Sequence, residues 1–118
     1  MAYKIIKHNN KEVLFIDHRG LTGDDLLNSL KEANKYVLEN KKDHLAVADF
    51  TDTNATKAVN EYLQSEESKA ASKYATKQAV VGMSGIKKMV LRVYMAFTGV
   101  KSGIFDTVEE ALEYVTKL

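Results

Sequence analysis

Apolar residues recur along this chain in two rhythms, and the switches between them lay out the elements. Tyr3, Ile5 and Lys7 alternate with Lys4, Ile6 and His8, a half-polar period of two that suits an edge strand guarded by lysines. Asn9 and Asn10 tolerate positive φ and mark a tight hairpin turn. The partner strand, Val13-Leu-Phe-Ile16, is continuously apolar, as expected when both faces of a sheet are covered. After Asp17-His-Arg-Gly20 the period changes. Thr22 and Asp25 have the spacing of a capping box, and Leu26, Leu27, Leu30, Ala33 and Val37 then recur at helical spacing, which predicts a first helix to about Asn40.

Leu45-Ala-Val-Ala48 reads as the next buried strand, closed by Asp49-Phe-Thr-Asp-Thr-Asn54, a loop rich in carboxylates and hydroxyls that can cap a helix after it. A second helix is expected to start between Thr53 and Thr56. Its apolar stripe is thin, because Val59, Tyr62 and Leu63 give way to Gln64-Ser-Glu-Glu-Ser-Lys69; such a helix packs at one end and is mobile along the rest. Ala79-Val-Val81 is the third core strand and Ile104-Phe105 the fourth. A third helix lies between them over 86–98, and Asp106-Thr-Val-Glu-Glu-Ala-Leu112 opens a last one. Strands alternating with helices imply right-handed crossovers and a parallel sheet, and the opening hairpin makes it mixed. The fold class is therefore α/β: one domain over 1–118, a mixed, mainly parallel β-sheet with helices packed on it.

Composition agrees and excludes some functions. The 118 residues contain no Pro and no Cys and are 45% apolar and 28% charged, the profile of one ordinary globular domain. A chain of this length buries roughly two-thirds of its unfolded surface and needs no disulfide or zinc staple. The first ten residues interrupt their apolar positions with Lys and His, unlike the continuous core of a signal peptide, so a cytoplasmic location is expected. No apolar run approaches the ~20 residues of a bilayer span, and any membrane contact would be peripheral. Seventeen basic against sixteen acidic side chains, net +1, supply no field for a polyanion, and nucleic acid is not an expected partner.

The most distinctive residues are Gly20-Leu-Thr-Gly23 before the first helix, Ala79-Val-Val-Gly82, Ser84-Gly85 with Lys87-Lys88, Phe97-Thr98-Gly99, and Phe105-Asp106 before Glu110-Ala-Leu112. Together they resemble the SpoIIAA-like family of the STAS fold, a likeness that runs over nearly the whole chain. The family is defined by shape more than by a reaction, so the resemblance implies a fold and a regulatory or binding role. Met95-Ala96 stands where many relatives have a polar or basic pair, and Tyr114 where Trp is common. Anti-sigma-factor antagonists of the same fold carry a phosphorylatable Ser after an Asp. Here the corresponding loop has Thr51, Thr53 and Thr56 and no Asp-Ser pair, so a kinase switch is not carried over. The fold is also similar to CRAL-TRIO lipid-transfer domains, which implies an apolar ligand beneath a movable helix as an alternative.

Ligands in open parallel sheets gather beyond the carboxyl ends of the strands, which here carry His18 and Arg19, Asp49 and Asp52, Ser84 with Lys87, and Asp106. A Ser84-His18-Asp49 hydrolase lacks the second glycine of a nucleophile elbow, and two aspartates with a histidine lack a metal-ligand spacing. No catalytic residue, cofactor or metal is expected. Ser84, Gly85, Lys87 and Lys88 open the third helix and are candidates to hold an anion, although Ser84 equally serves as a helix cap. On a helical wheel, Ile86, Met89, Val90, Val93, Tyr94 and Phe97 form one side, assigned to the core. Lys87, Lys88, Leu91, Arg92 and Met95 form the other, where Leu91, Arg92 and Met95 make an apolar pair with a basic rim, the pattern of an interaction face. The expected function is a non-enzymatic regulatory or binding module acting on a protein partner through that face and the loop residues Asp49, Thr51, Asp52 and Thr53, as a homodimer or with another protein. The alternative is a lipid or apolar ligand, or a membrane surface, met by the helix over 86–98.

Overall fold

The computed structural model describes residues 3–54 and 56–117. The strands and helices are β1 (Tyr3–His8), β2 (Lys11–Asp17), α1 (Gly23–Asn40), β3 (His44–Asp49), α2 (Lys57–Leu63), α3 (Glu66–Ser72), β4 (Ala75–Val81), α4 (Ile86–Thr98), β5 (Ser102–Phe105) and α5 (Val108–Thr116). Among the described residues they build one five-stranded sheet in the order β1-β2-β3-β4-β5. β1 pairs antiparallel with β2, with Tyr3 opposite Ile16 and His8 opposite Lys11; the remaining pairs are parallel. Asn9 and Asn10 both have positive φ, at 50° and 63°, as a two-residue hairpin turn requires.

Because the strand order never reverses, the connections α1, α2–α3 and α4 all lie on one face, and α5 returns to cover the other. Strand alternation then divides the core. Val13, Phe15, Val47, Ala79 and Val81 point towards α5 and bury against Ala111 and Val115. Leu14 points the other way, to Val37 of α1 and Ala71 of α3, and Ala48 and Val80 meet Leu91 of α4. His8 Nε2 lies 2.8 Å from Glu113 Oε1 and Asn9 Nδ2 donates to Thr116 Oγ1 at 3.1 Å, tying the hairpin to α5.

The second helix expected from the sequence is two helices. Part of its expected start, Ala55, lies outside the described residues, but Thr56 is the cap: its hydroxyl accepts from Val59 N. The stretch expected to be mobile is α3, because Ser65 stops α2 and caps a new helix, its Oγ accepting from Ser68 N, with Glu66 and Glu67 in the first turn. Ser68, Ala71 and Ser72 are buried there. Thr22 does occupy the cap position of α1 but its side chain makes no cap bond. A side-chain cap with that spacing is at α5, where Thr107 Oγ1 accepts from Glu110 N and donates to Glu110 Oε1 at 3.0 Å.

Candidate functional site

The third helix expected from the sequence, α4, is rotated about its axis relative to the helical-wheel assignment: Val90 and Tyr94 of the side assigned to the core do face inward, but together with Leu91 of the other side. Leu91 is 5% exposed and packs on Ala48 and Val80, whereas Ile86, Met89 and Val93 are 67%, 63% and 48% exposed. Met95 is half-buried, and its Sδ accepts from Ser102 N at 3.3 Å. Leu91, Arg92 and Met95 therefore form no exposed face; Arg92 alone of the three is on the surface. A wheel gives the two sides of a helix but not which one meets the sheet. Here the inward strip runs between the two sides, through Lys87, Val90, Leu91 and Tyr94, and Lys87, at its N-terminal end, donates from Nζ to Phe50 O at 3.0 Å. Its long stem packs while its ammonium finds a carbonyl.

That contact also splits the expected anion cluster. Ser84, Gly85 and Lys88 are exposed while Lys87 turns away from them. Gly85, not Ser84, is the cap residue, and no side chain caps α4.

The loop after β3 is clamped between two strand ends. His18 N donates to Asp49 O, Gly20 N to Thr51 O, and Phe50 N to Val81 O, at 2.8–3.0 Å. Asp49 is buried and one carboxylate oxygen accepts from both Thr51 N at 3.0 Å and Thr51 Oγ1 at 2.6 Å. Thr53 Oγ1 donates to Phe50 O at 2.7 Å. Gly82 has φ +82°, and a Cβ there would collide with Thr51 N, so the loop rests directly on the backbone after β4. Of the loop candidates Asp49, Thr51, Asp52 and Thr53, Asp52 alone is exposed.

His18 does not approach Ser84 in a triad. It is 1% exposed, its Nδ1 lies 2.7 Å from Ser29 Oγ, and its ring sits 4.8 Å from that of Phe50. Burial lowers its pKa to about 4, against the raising effect of Asp17 and Asp49, so it is neutral at pH 7. Arg19 forms a two-pronged pair with Asp17, at 2.9 and 2.8 Å, and reaches Asp49 Oδ2 at 3.9 Å. Its hydrogen bonds hold the Asp17 carboxyl below the usual range. Among the described residues no group of three His, Asp or Glu side chains is placed to hold a metal ion.

The space these residues enclose is a cavity of about 120 Å³ between the sheet and α1–α4. The sheet supplies Ile16, Ala46, Ala48 and Val80; the helices supply Leu26, Leu30 and Ala33 of α1, Val59 of α2, Ala71 of α3, and Val90 and Leu91 of α4. Small residues on both walls leave the gap: β3 presents Ala46 and Ala48 to this face and Val47 to the other. Polar wall groups are largely spoken for. Asn34 Nδ2 donates to Tyr62 OH, Tyr62 OH donates to Glu67 Oε1, and Ser72 Oγ donates to Lys69 O. Thr53, Asn54 and Lys87 stand at the end of the cavity nearest the carboxyl ends of the strands.

A crystal structure of an uncharacterised DUF3478-family protein from Shewanella loihica, described as having a SpoIIAA-like fold, matches this one with a TM-score of 0.70. The match covers 97% of this chain and 92% of the other, at 19% sequence identity. The chain has the SpoIIAA-like fold. No protein-family model matches the sequence, and no curated protein matches it. The likeness therefore carries the architecture, and function must be argued from residues.

Two features of this SpoIIAA-like domain go beyond the elements expected from its sequence. One is the cavity, whose signal is the pair of alanines in Leu45-Ala-Val-Ala48, a segment that by its pattern is simply a buried strand. The strand order also has no reversal, so no switch point marks a strand-end crevice; an open, polar groove beside Asp17, Arg19 and Asp52 lies at those strand ends, and the apolar space lies under the helices instead. The other is a shallow groove between α2 and α4, lined by Asn60, Leu63, Met89 and Val93, with the exposed Lys88 and Arg92 on α4 nearby. No helix among the described residues is long and apolar enough to cross a membrane.

Proposed function

We propose that this SpoIIAA-like domain is a binding module for a small apolar molecule, held between the sheet and α1–α4. The observation that carries the proposal is the cavity of about 120 Å³, walled by Ala46, Ala48, Val80 and Leu91. Interiors normally pack to crystal density with few voids larger than water. At about 24 cal/mol per Å³ an empty space of this size costs on the order of 3 kcal/mol, a penalty that an apolar occupant offsets. The inward turn of Leu91 and Met95 takes away the face on which a protein-interaction role was expected, and puts those side chains where they line or border the cavity. Native mass spectrometry of gently purified protein tests this: a co-purified small molecule supports it, and a bare chain that also fails to take up added hydrophobes contradicts it.

A second reading is favoured by the exposure of Ile86, Met89 and Val93. They share one side of α4 at i, i+3 and i+7 spacing, and Lys88 and Arg92 flank them. An apolar ridge with a basic margin suits an anionic lipid surface. Co-sedimentation with vesicles of phosphatidylserine and phosphatidylcholine, lost in Met89→Ser, supports it; a change of oligomeric state in the same variant would assign the ridge to a second copy instead.

A further inference from the structure

We propose that the ligand of the cavity is a small carboxylate, an aromatic or branched acid, with its apolar body against Ala48, Val80 and Leu91 and its carboxylate at Lys87. The inference rests on the apolar-ligand reading above and adds to it the size and the charge of the ligand.

Size follows from volume. A dry engineered cavity of about 150 Å³ binds benzene, and this one is about 120 Å³. The occupant is then a single ring or a short branched chain, not a long acyl chain. Charge follows from an imbalance of donors and acceptors at one end. Phe50 O accepts from Lys87 Nζ at 3.0 Å, from Thr53 Oγ1 at 2.7 Å and from Thr53 N at 3.2 Å. A carbonyl oxygen has two lone pairs, and an ammonium has three donors. Three donors thus converge on one neutral acceptor, and the Asn54 side chain borders the same end.

No carboxylate among the described residues forms an ion pair with the ammonium. Among the described residues lining the cavity, Lys87 is the one side chain from the set Lys, Arg, Asp and Glu. A half-buried cation beside an apolar wall is stabilised by an anion with which it can hydrogen-bond. A carboxylate offers two oxygens. One takes the Lys87 ammonium and the other the Thr53 hydroxyl, which leaves Phe50 O with Thr53 N. His18, whose ring lies 4.8 Å from that of Phe50, is neutral and tied to Ser29, so the charged end of the ligand is directed to Lys87 alone.

The test compares benzoate with toluene, a pair that differs in charge at nearly equal ring size, by calorimetric or ligand-observed NMR titration of the full chain at about pH 7, where the acid is ionised. Benzoate is expected to bind about tenfold or more tightly than toluene. Lys87→Met should reduce benzoate to the level of toluene without moving toluene, and Lys87→Arg should keep the preference. Equal binding of the two by the unaltered chain overturns the carboxylate assignment and leaves the apolar-ligand reading standing. So does a preference that survives Lys87→Met. Binding of neither compound overturns both. Should Lys87→Met fold poorly, the comparison in the unaltered chain still decides.

Discussion

The two faces of the sheet bury similar strands by different means. Towards α5, large side chains on the strands (Val13, Phe15, Val47, Val81) meet a small one on the helix, Ala111, and the helix settles close to β3, β4 and β5. Towards α1–α4 the layers meet less closely: Leu14 packs on Ala71 and Leu91 on Ala48, but Ala46 and Ala48 of the sheet and Ala33 and Ala71 of the helices all border a cavity that remains between the layers. Large against small interdigitates; small against small leaves room. The first face is filled, and the second is the one with space for a ligand.

Truncation on the filled face should do the most damage. Phe15→Ala removes a 7%-exposed aromatic packed under α5 and is expected to cost about 3–5 kcal/mol by chemical denaturation. The orientation of α4 sharpens the comparison from the other side. Leu91→Ser, at a buried position over Ala48 and Val80, should cost about 2–4 kcal/mol, whereas Met89→Ser, at an exposed one, should stay within about 0.5 kcal/mol. Equal effects of the two would mean that α4 faces the sheet by its other side.

Protonation of His18 probes the cavity face, since the ring lies on it. Its folded pKa is lowered to about 4, chiefly by burial, below the unfolded value of about 6.5. The unfolded chain therefore binds more protons between these values. The stability that neutral His18 contributes is complete above about pH 6.5 and is lost as pH falls through about 4, on the order of 3 kcal/mol in all. Burial lowers the pKa of His44 as well and adds a loss of the same sign. The melting temperature should be level near neutrality and fall with acid, and His18→Gln should make that fall shallower. A profile unchanged by His18→Gln would show that the histidine is not held neutral.

Added methyl groups test the same contrast by filling space. Ala79→Val, on the filled face, is expected to destabilise by about 1–3 kcal/mol through overpacking. Ala48→Val, facing the cavity, should be neutral or mildly stabilising and should weaken uptake of toluene. Similar costs at both sites would mean that the two faces are equally full.

Much of the fold is legible in the sequence. The alternation of Tyr3–His8, the apolar runs at Val13–Ile16 and Ala79–Val81 and the helical spacing after Thr22 each reflect a local period, and the elements form where those periods lie. Ser65-Glu66-Glu67 carries the signal for α3, a cap followed by acids, inside a stretch whose weak apolar stripe masks it. The side of α4 that meets the sheet is not legible. Both sides carry apolar residues, and the strip that turns inward takes one cation with it, Lys87, whose partner is a carbonyl 37 residues away in sequence. The cavity escapes for a related reason: a missing volume belongs to several elements at once, and no single segment has a pattern for it.

The most direct measurement is a toluene titration followed in the methyl carbon–proton NMR spectrum of the intact domain. Saturable shifts at Ala46, Ala48, Val80 and Leu91, with the exposed Ile86, Met89 and Val93 unmoved, are expected if the space between the sheet and α1–α4 receives an apolar molecule. Shifts confined to Ile86, Met89 and Val93, or no saturable shift at any methyl, would contradict it.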